Sequence, residues 1–112
     1  MITVKLTSGG QLEDLVGLTP MSSQWVPVEQ VTIDAFAAVT GDSYWIHTDP
    51  ARARAASTTT IAHGLLVLSL GPAMSYTLID FSGIAKVLNY GYDRIRLISP
   101  VPSVAGCVLP RL

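Results

Sequence analysis

"GDSYWIHTDP", residues 41–50, sets a carboxylate (Asp42) and an imidazole (His47) close together, with two large aromatics and an isoleucine among the four residues between them. Both ends of the stretch read as helix boundaries. Upstream, Thr32 suits the N-cap of "IDAFAAVT", in which Ile33, Phe36, Ala37 and Thr40 share one face, and Gly41 supplies the stop. Downstream, Asp49 caps a helix that has Pro50 at its first position and the alanine-rich "ARARAAS" as its body. Asp42 and His47 therefore belong to a connection pinned at both ends, rigid enough to hold a geometry.

Outward from this connection the pattern alternates between strand and helix signals. Residues 1 to about 20 read as a lead-in, with "GGQLEDLVG" one short helix closed by Gly17. "SSQWVPVEQ" places Trp25, Val26 and Val28 around a proline, as an edge strand does. "STTTIAHG" opens a long helix, expected from around Ala62 to Leu78, that is apolar nearly all round and so must be wrapped by other structure. In "GIAKVLNYGYDRIRLISPVP", Val87 and Asn89 before Gly91, and Ile95 and Leu97 after it, alternate with their neighbours as strand residues do. Strands wrapped on one buried helix make an α+β arrangement.

The composition narrows the functional classes. The 112 residues suit one small domain, here taken as 1–112, with one core. Hydrophobic residues make up 49% and charged residues 13%, about half the usual charged share. That balance argues against disorder and for apolar surface covered by a second copy of the chain, a homodimer. With a net charge of −1 and no basic run, nothing points to nucleic acid or to an anionic membrane. "MITVKLTSGG" turns polar too early for a secretory signal, and "IAHGLLVLSLGPAM" is too short and too interrupted to span a bilayer. The single cysteine, Cys107, excludes an internal disulfide and a cysteine-based metal site. A soluble, cytoplasmic protein is the expectation.

Asp beside His permits hydrogen-bonded general acid–base work on a water. A histidine in apolar surroundings tends to stay neutral, and a nearby carboxylate fixes its tautomer. The pair alone equally fits a loop aspartate acting as a cap and a histidine satisfying a backbone carbonyl. His63-Gly64 adds weight to the chemical reading. These residues open the apolar helix, where backbone N–H groups lack partners, and glycine lets a ligand approach such an N–H closely. A polarised carbonyl oxygen could sit there as in an oxyanion hole. The combination suits hydration of a double bond conjugated to a carbonyl. His47 and His63 lack a convincing third ligand, so no metal is assigned. Ser69 has no G-x-S-x-G setting. Arg94 and Arg96 read as a solvated strand face, with phosphate contacts as the alternative. Tyr44 and Trp45 read as packing residues that flank the pair.

"FAAVTGDSYWIHTDPARARAA", followed by "TIAHGLLVLSLGPAM" and "VLNYGYDRIRLISPVP", resembles the MaoC-like dehydratases, the (R)-specific enoyl-CoA hydratase group of the hotdog-fold superfamily. The resemblance runs from about Trp25 to Pro102 and is most specific in G-D-x4-H-x-D-P coupled to I-A-H-G. It implies a hotdog fold, an antiparallel sheet wrapped on a long central helix. It implies catalytic roles for Asp42 and His47, and carbonyl polarisation by the Gly64 N–H. The implied reaction is reversible hydration of a trans-2-enoyl-CoA, or the acyl-carrier-protein thioester, to the (R)-3-hydroxyacyl product. The dyad would hold and deprotonate a water that attacks C3, and one of its members would return a proton to C2. The resemblance further implies a homodimer and no metal or redox cofactor.

The sequence departs from that pattern in two places. "ASTTT" stands where the family often has a glycine-rich loop with Pro-Phe, which bears on the acyl pocket. After V-P the family continues through further strands, so the C-terminal strands are expected to be missing here. Family members often read V-P-V-G-S-R-V-R at this point. Deleting one nucleotide after the second codon of one possible coding gives V-P-S-V-A-G-C-V, as in Val101–Val108. A frameshifted, truncated hydratase is therefore a serious reading, and the 112-residue chain by itself is expected to be insoluble or molten and to lack hydratase activity. The alternatives are a non-catalytic remnant of such an enzyme and a hotdog acyl-CoA thioesterase. The thioesterase ranks last because it wants a carboxylate on the long helix.

Overall fold

Helix α1 (Gln30–Thr40) buries Ile33 and Ala37 and half-buries Phe36, the stripe its 3.6-residue period dictates. It ends where Gly41 takes φ = +80°, a conformation that favours glycine, and the Gly41 N–H bonds to the Ala37 carbonyl at 2.8 Å. Its start lies two residues ahead of the expected cap. Glu29 is the N-cap and Thr32 sits inside the first turn. The Gln30 side chain, donating to Asp34 Oδ1 at 2.9 Å and to the His47 carbonyl at 2.7 Å, anchors that extra turn. A tertiary contact thus overrides the local capping signal.

The computed structural model describes residues 4–17, 21–103 and 106–107, and the chain divides into two compact units. The unit holding α1 runs over Trp25–Leu70 and Leu97–Cys107. Its strand β2 (Val26–Pro27) pairs antiparallel with β4 (Gly106–Cys107). After α1 come a single turn, α2 (Trp45–Thr48), and α3 (Pro50–Ala55). Asp49 caps α3 as expected, accepting the Arg52 N–H at 3.0 Å, with Pro50 in the first turn. Helix α4 (Gly64–Ser69) then buries Leu66 against Val28, Ile33 and Ala62. Thr60–Ala62 lie antiparallel to Val101–Ser103: Ala62 N–H bonds the Val101 carbonyl at 2.8 Å and Ser103 N–H bonds the Thr60 carbonyl at 3.0 Å.

The other unit contains Met1–Gln24 and Gly71–Arg96. Strand β1 (Val4–Lys5) pairs parallel with β3 (Ile79–Asp80), and Leu6, Leu78 and Ile79 form its core. The short N-terminal helix is a 3-10 helix, Gly9–Leu15, followed by Gly17 at φ = +82°. The N–H of Ser82 donates to Asp80 Oδ1 at 2.8 Å; this bond, then the Ser82 hydroxyl, then the Lys5 charge hold the Asp80 carboxyl below its usual range.

Two expected elements differ. The single helix from Ala62 to Leu78 is instead α4 and α5 (Gly71–Tyr76), interrupted at Leu70. Pro72 has no N–H for the Leu68 carbonyl, so the i to i−4 ladder cannot run unbroken from α4 into α5. Residues 87–98 form no strand, and Leu88, Tyr90 and Ile98 are exposed. Alternation specifies which face a strand buries, but no strand among the described residues pairs with this one.

Candidate active site

The connection after α1 holds Asp42 by its backbone and leaves its carboxylate in the open. Its N–H donates to Thr40 Oγ1 at 3.3 Å, while the Thr40 hydroxyl donates to the Phe36 carbonyl at 2.7 Å. Its carbonyl accepts from His63 Nε2 at 2.8 Å. Among the described residues the exposed carboxylate accepts only a long contact, 3.4 Å, from the Tyr44 N–H.

His47 is half-buried on the single turn α2 and fixed from three sides. Its carbonyl accepts from Gln30, whose own side-chain oxygen accepts from the Thr60 hydroxyl. Its Nδ1 lies 2.7 Å from the Ile61 carbonyl. A carbonyl can only accept, so Nδ1 carries the proton there, and a neutral ring then keeps its lone pair at Nε2. The ring stacks on His63, centroids 3.9 Å apart and 26° between planes. The bland reading of this histidine, satisfaction of a backbone carbonyl, is thus fulfilled by one nitrogen and leaves the other available.

One ligand atom each from Asp42, His47 and His63 lies within 4.8 Å of the others. These side chains border a cavity of about 200 Å³ together with Phe36, Thr40 and Gly64. An adjoining cavity of about 240 Å³ is lined mainly by apolar side chains, among them Ile61, Val67, Leu97 and Val101. Gly64 is the first residue of α4, so its N–H has no acceptor within the helix. The space a Cβ would need at Gly64 is filled by the Leu97 side chain. A side chain at position 64 would have to push the exposed Leu97 side chain aside, as would a ligand oxygen reaching that N–H from the same side. The three donor groups bear on metal binding as well. The two rings are nearly parallel, so their in-plane lone pairs run side by side instead of converging on one ion. The arrangement suits proton transfer to and from a water.

A family model described as "MaoC like domain" matches residues 12–104. The chain belongs to the MaoC-like family. It is 42% identical over 81 residues to 3-hydroxyacyl-thioester dehydratase Z of Mycobacterium tuberculosis, covering 71% of this chain and 54% of that protein. It is 48% identical over 87 residues to Nodulation protein N of Rhizobium leguminosarum bv. viciae, covering 70% of this chain and 51% of that protein. The chain spans about half the length of these curated relatives. Among solved structures, the "Monoamine oxidase regulatory protein" of Archaeoglobus fulgius superposes with a TM-score of 0.62 at 22% identity, covering 93% of this chain and 68% of that one. That likeness gives the fold class, α+β hotdog, which the MaoC-like match supports. Among the described residues no helix is long and apolar enough to cross a membrane.

All three residues singled out by sequence, Asp42, His47 and Gly64, border one cavity. Four further residues of the site carry no sequence signal for their role. The pattern puts Gln30 at the end of an edge strand and Thr60 and Ile61 in the lead-in to a helix. It puts Leu97 on a strand, whereas Leu97 lies over Gly64. Side-chain-to-carbonyl bonds across 14 and 17 residues leave no periodic trace by which they could have been found.

Proposed function

We propose that this protein reversibly hydrates a trans-2-enoyl thioester to the (R)-3-hydroxyacyl thioester, with Asp42 and His47 as the acid–base pair. The observation that carries the reading is the meeting of the Asp42 carboxylate and the His47 ring, within 4.8 Å, at a cavity that Gly64 also borders. A water held between the Asp42 carboxylate and His47 Nε2 gives up a proton to Nε2 as its oxygen bonds to C3. The C2=C3 electrons move onto the thioester as an enolate, whose oxygen takes the Gly64 N–H once Leu97 has swung aside. The proton on Nε2 then passes to C2, so one water has been added and the pair is restored. Asp42 accepts the other O–H of the water and orients it. The apolar side chains of the adjoining cavity suit an acyl chain. No metal or redox cofactor is required by these steps. A cytoplasmic homodimer acting on coenzyme A or acyl-carrier-protein thioesters completes the proposal, supported by the low charged share and by exposed apolar side chains such as Leu88 and Ile98. A thioesterase would want a carboxylate on α4 or α5, and neither helix carries one.

The test is hydration of crotonyl-CoA, followed by loss of the enoyl-thioester absorbance. Asp42→Asn and His47→Ala should each lower turnover roughly 100- to 10,000-fold. The double variant should be little worse than either single, because the two act as a unit. Near-normal turnover in a single variant removes that residue from the mechanism, and a wild-type protein without turnover favours the non-catalytic reading.

A further inference from the structure

His63 is buried, 3% exposed, at the wall of the cavity that Asp42 and His47 also border. Its Nε2 lies 2.8 Å from the Asp42 carbonyl, which can only accept, so Nε2 is the protonated nitrogen. Its ring lies flat on the His47 ring at 3.9 Å and packs against Phe36 at 4.9 Å, tilted by 55°. Its own Nδ1 is buried and has no hydrogen-bond partner among the described residues. Leaving a buried acceptor unpaired is destabilising, because its hydration is lost and not replaced. A leucine or phenylalanine at this position would pack without that cost, so packing alone does not account for a histidine. What only an imidazole supplies here is a planar face for His47 and a donor for Asp42 from the same rigid ring.

We propose that His63 is the positioning residue of this site, one side chain that sets the plane of the His47 ring and the backbone of Asp42 together. This rests on the dehydratase reading given above. With the Asp42 N–H held by Thr40, the bond from His63 pins the second backbone group of that residue, so its carboxylate hangs from a fixed Cα. With His47 Nδ1 held by the Ile61 carbonyl, the stacked face blocks rotation of the ring about that bond. His63 is also the N-cap of α4 and so couples both groups to Gly64, the next residue. A loose pair a fraction of an ångström apart still binds substrate; it loses the aligned proton transfer.

Three variants separate the two contacts. His63→Ala removes both, His63→Phe keeps a ring and loses the donor, and His63→Gln keeps a donor and loses the ring. Relative to wild type, His63→Ala should lower kcat on crotonyl-CoA on the order of 10- to 100-fold, the size typical of groups that orient others. KM should stay within about twofold, because no substrate contact is removed. Phe and Gln should each recover part of kcat. A merely structural role predicts a lowered melting temperature with kcat unchanged for each folded molecule, and that result overturns the proposal. So does wild-type kcat in either His63→Phe or His63→Gln, or a matching rise in KM. A second measurement needs neither turnover nor a variant. Ring nitrogen-15 spectra of the wild-type protein, at a pH where both rings are neutral, should show His63 as the Nε2–H tautomer and His47 as the Nδ1–H tautomer. The opposite tautomer in either ring overturns the positioning role even if crotonyl-CoA is never turned over, whereas correct tautomers without turnover sink only the dehydratase reading.

Discussion

Residues 41–49 and residues 87–98 carry similar side chains, aromatics and aliphatics with a few charges in each, and end in opposite states. In the first, backbone groups find partners close by: Asp42 N–H at Thr40, Asp49 N–H at the Trp45 carbonyl, and the Thr48 hydroxyl at the Ser43 carbonyl. In the second, Leu88, Tyr90 and Ile98 stand exposed and no strand pairs with the segment among the described residues. Apolar side chains are common to both, so hydrophobicity is not what separates them. The difference lies in the range of the hydrogen bonds each needs. The connection closes the Asp42 and Asp49 N–H bonds within four residues and finds side-chain donors in Gln30 and His63 for its His47 and Asp42 carbonyls, whereas a strand needs a whole second strand that its own sequence cannot supply.

Four substitutions would break or sharpen that contrast. The largest effect belongs to Ile33→Ala, which empties a fully buried position on the helix that leads into residues 41–49. It should cost about 2–5 kcal/mol in denaturant unfolding, and a loss well below 1 kcal/mol would show that α1 does not anchor the connection. Next is Asp49→Ala, which removes the acceptor of the Arg52 N–H at the downstream end of the connection. We expect about 1 kcal/mol in the same assay; a negligible change would mean that the cap is not what pins that end. The smallest should be Leu88→Ser and Ile98→Ser, at positions 77% and 83% exposed. Each should change stability by less than about 0.5 kcal/mol. A loss above about 2 kcal/mol in either would indicate that the segment is covered in solution, and concentration-dependent melting would identify a second copy as the cover.

The legible part of this protein was local. Gly41 as a helix stop, Asp49 with Pro50 as a helix start, and Gly17 as the close of the first short helix follow from glycine's tolerance of positive φ, a side-chain oxygen within reach of N–H groups three residues on, and the fixed φ of proline. The pairing of G-D-x4-H with A-H-G was also legible, and the structure brings Asp42, His47 and Gly64 to one cavity. Where sequence reading failed, the deciding contact was distant. Helix α1 starts at Gln30 because that side chain reaches His47, 17 residues away. Residues 87–98 alternate like a strand yet pair with nothing described.

The sequence by itself therefore determined which residue types the site would contain and where its flanking helices stop and start, since caps and turns act over three or four residues. Only the tertiary structure decided which nitrogen of His47 is free, that His63 ties Asp42 to His47, and that Leu97 covers Gly64. Each of those depends on a carbonyl, a ring face or a side chain brought in from more than ten residues away, and proximity of that kind is created by folding.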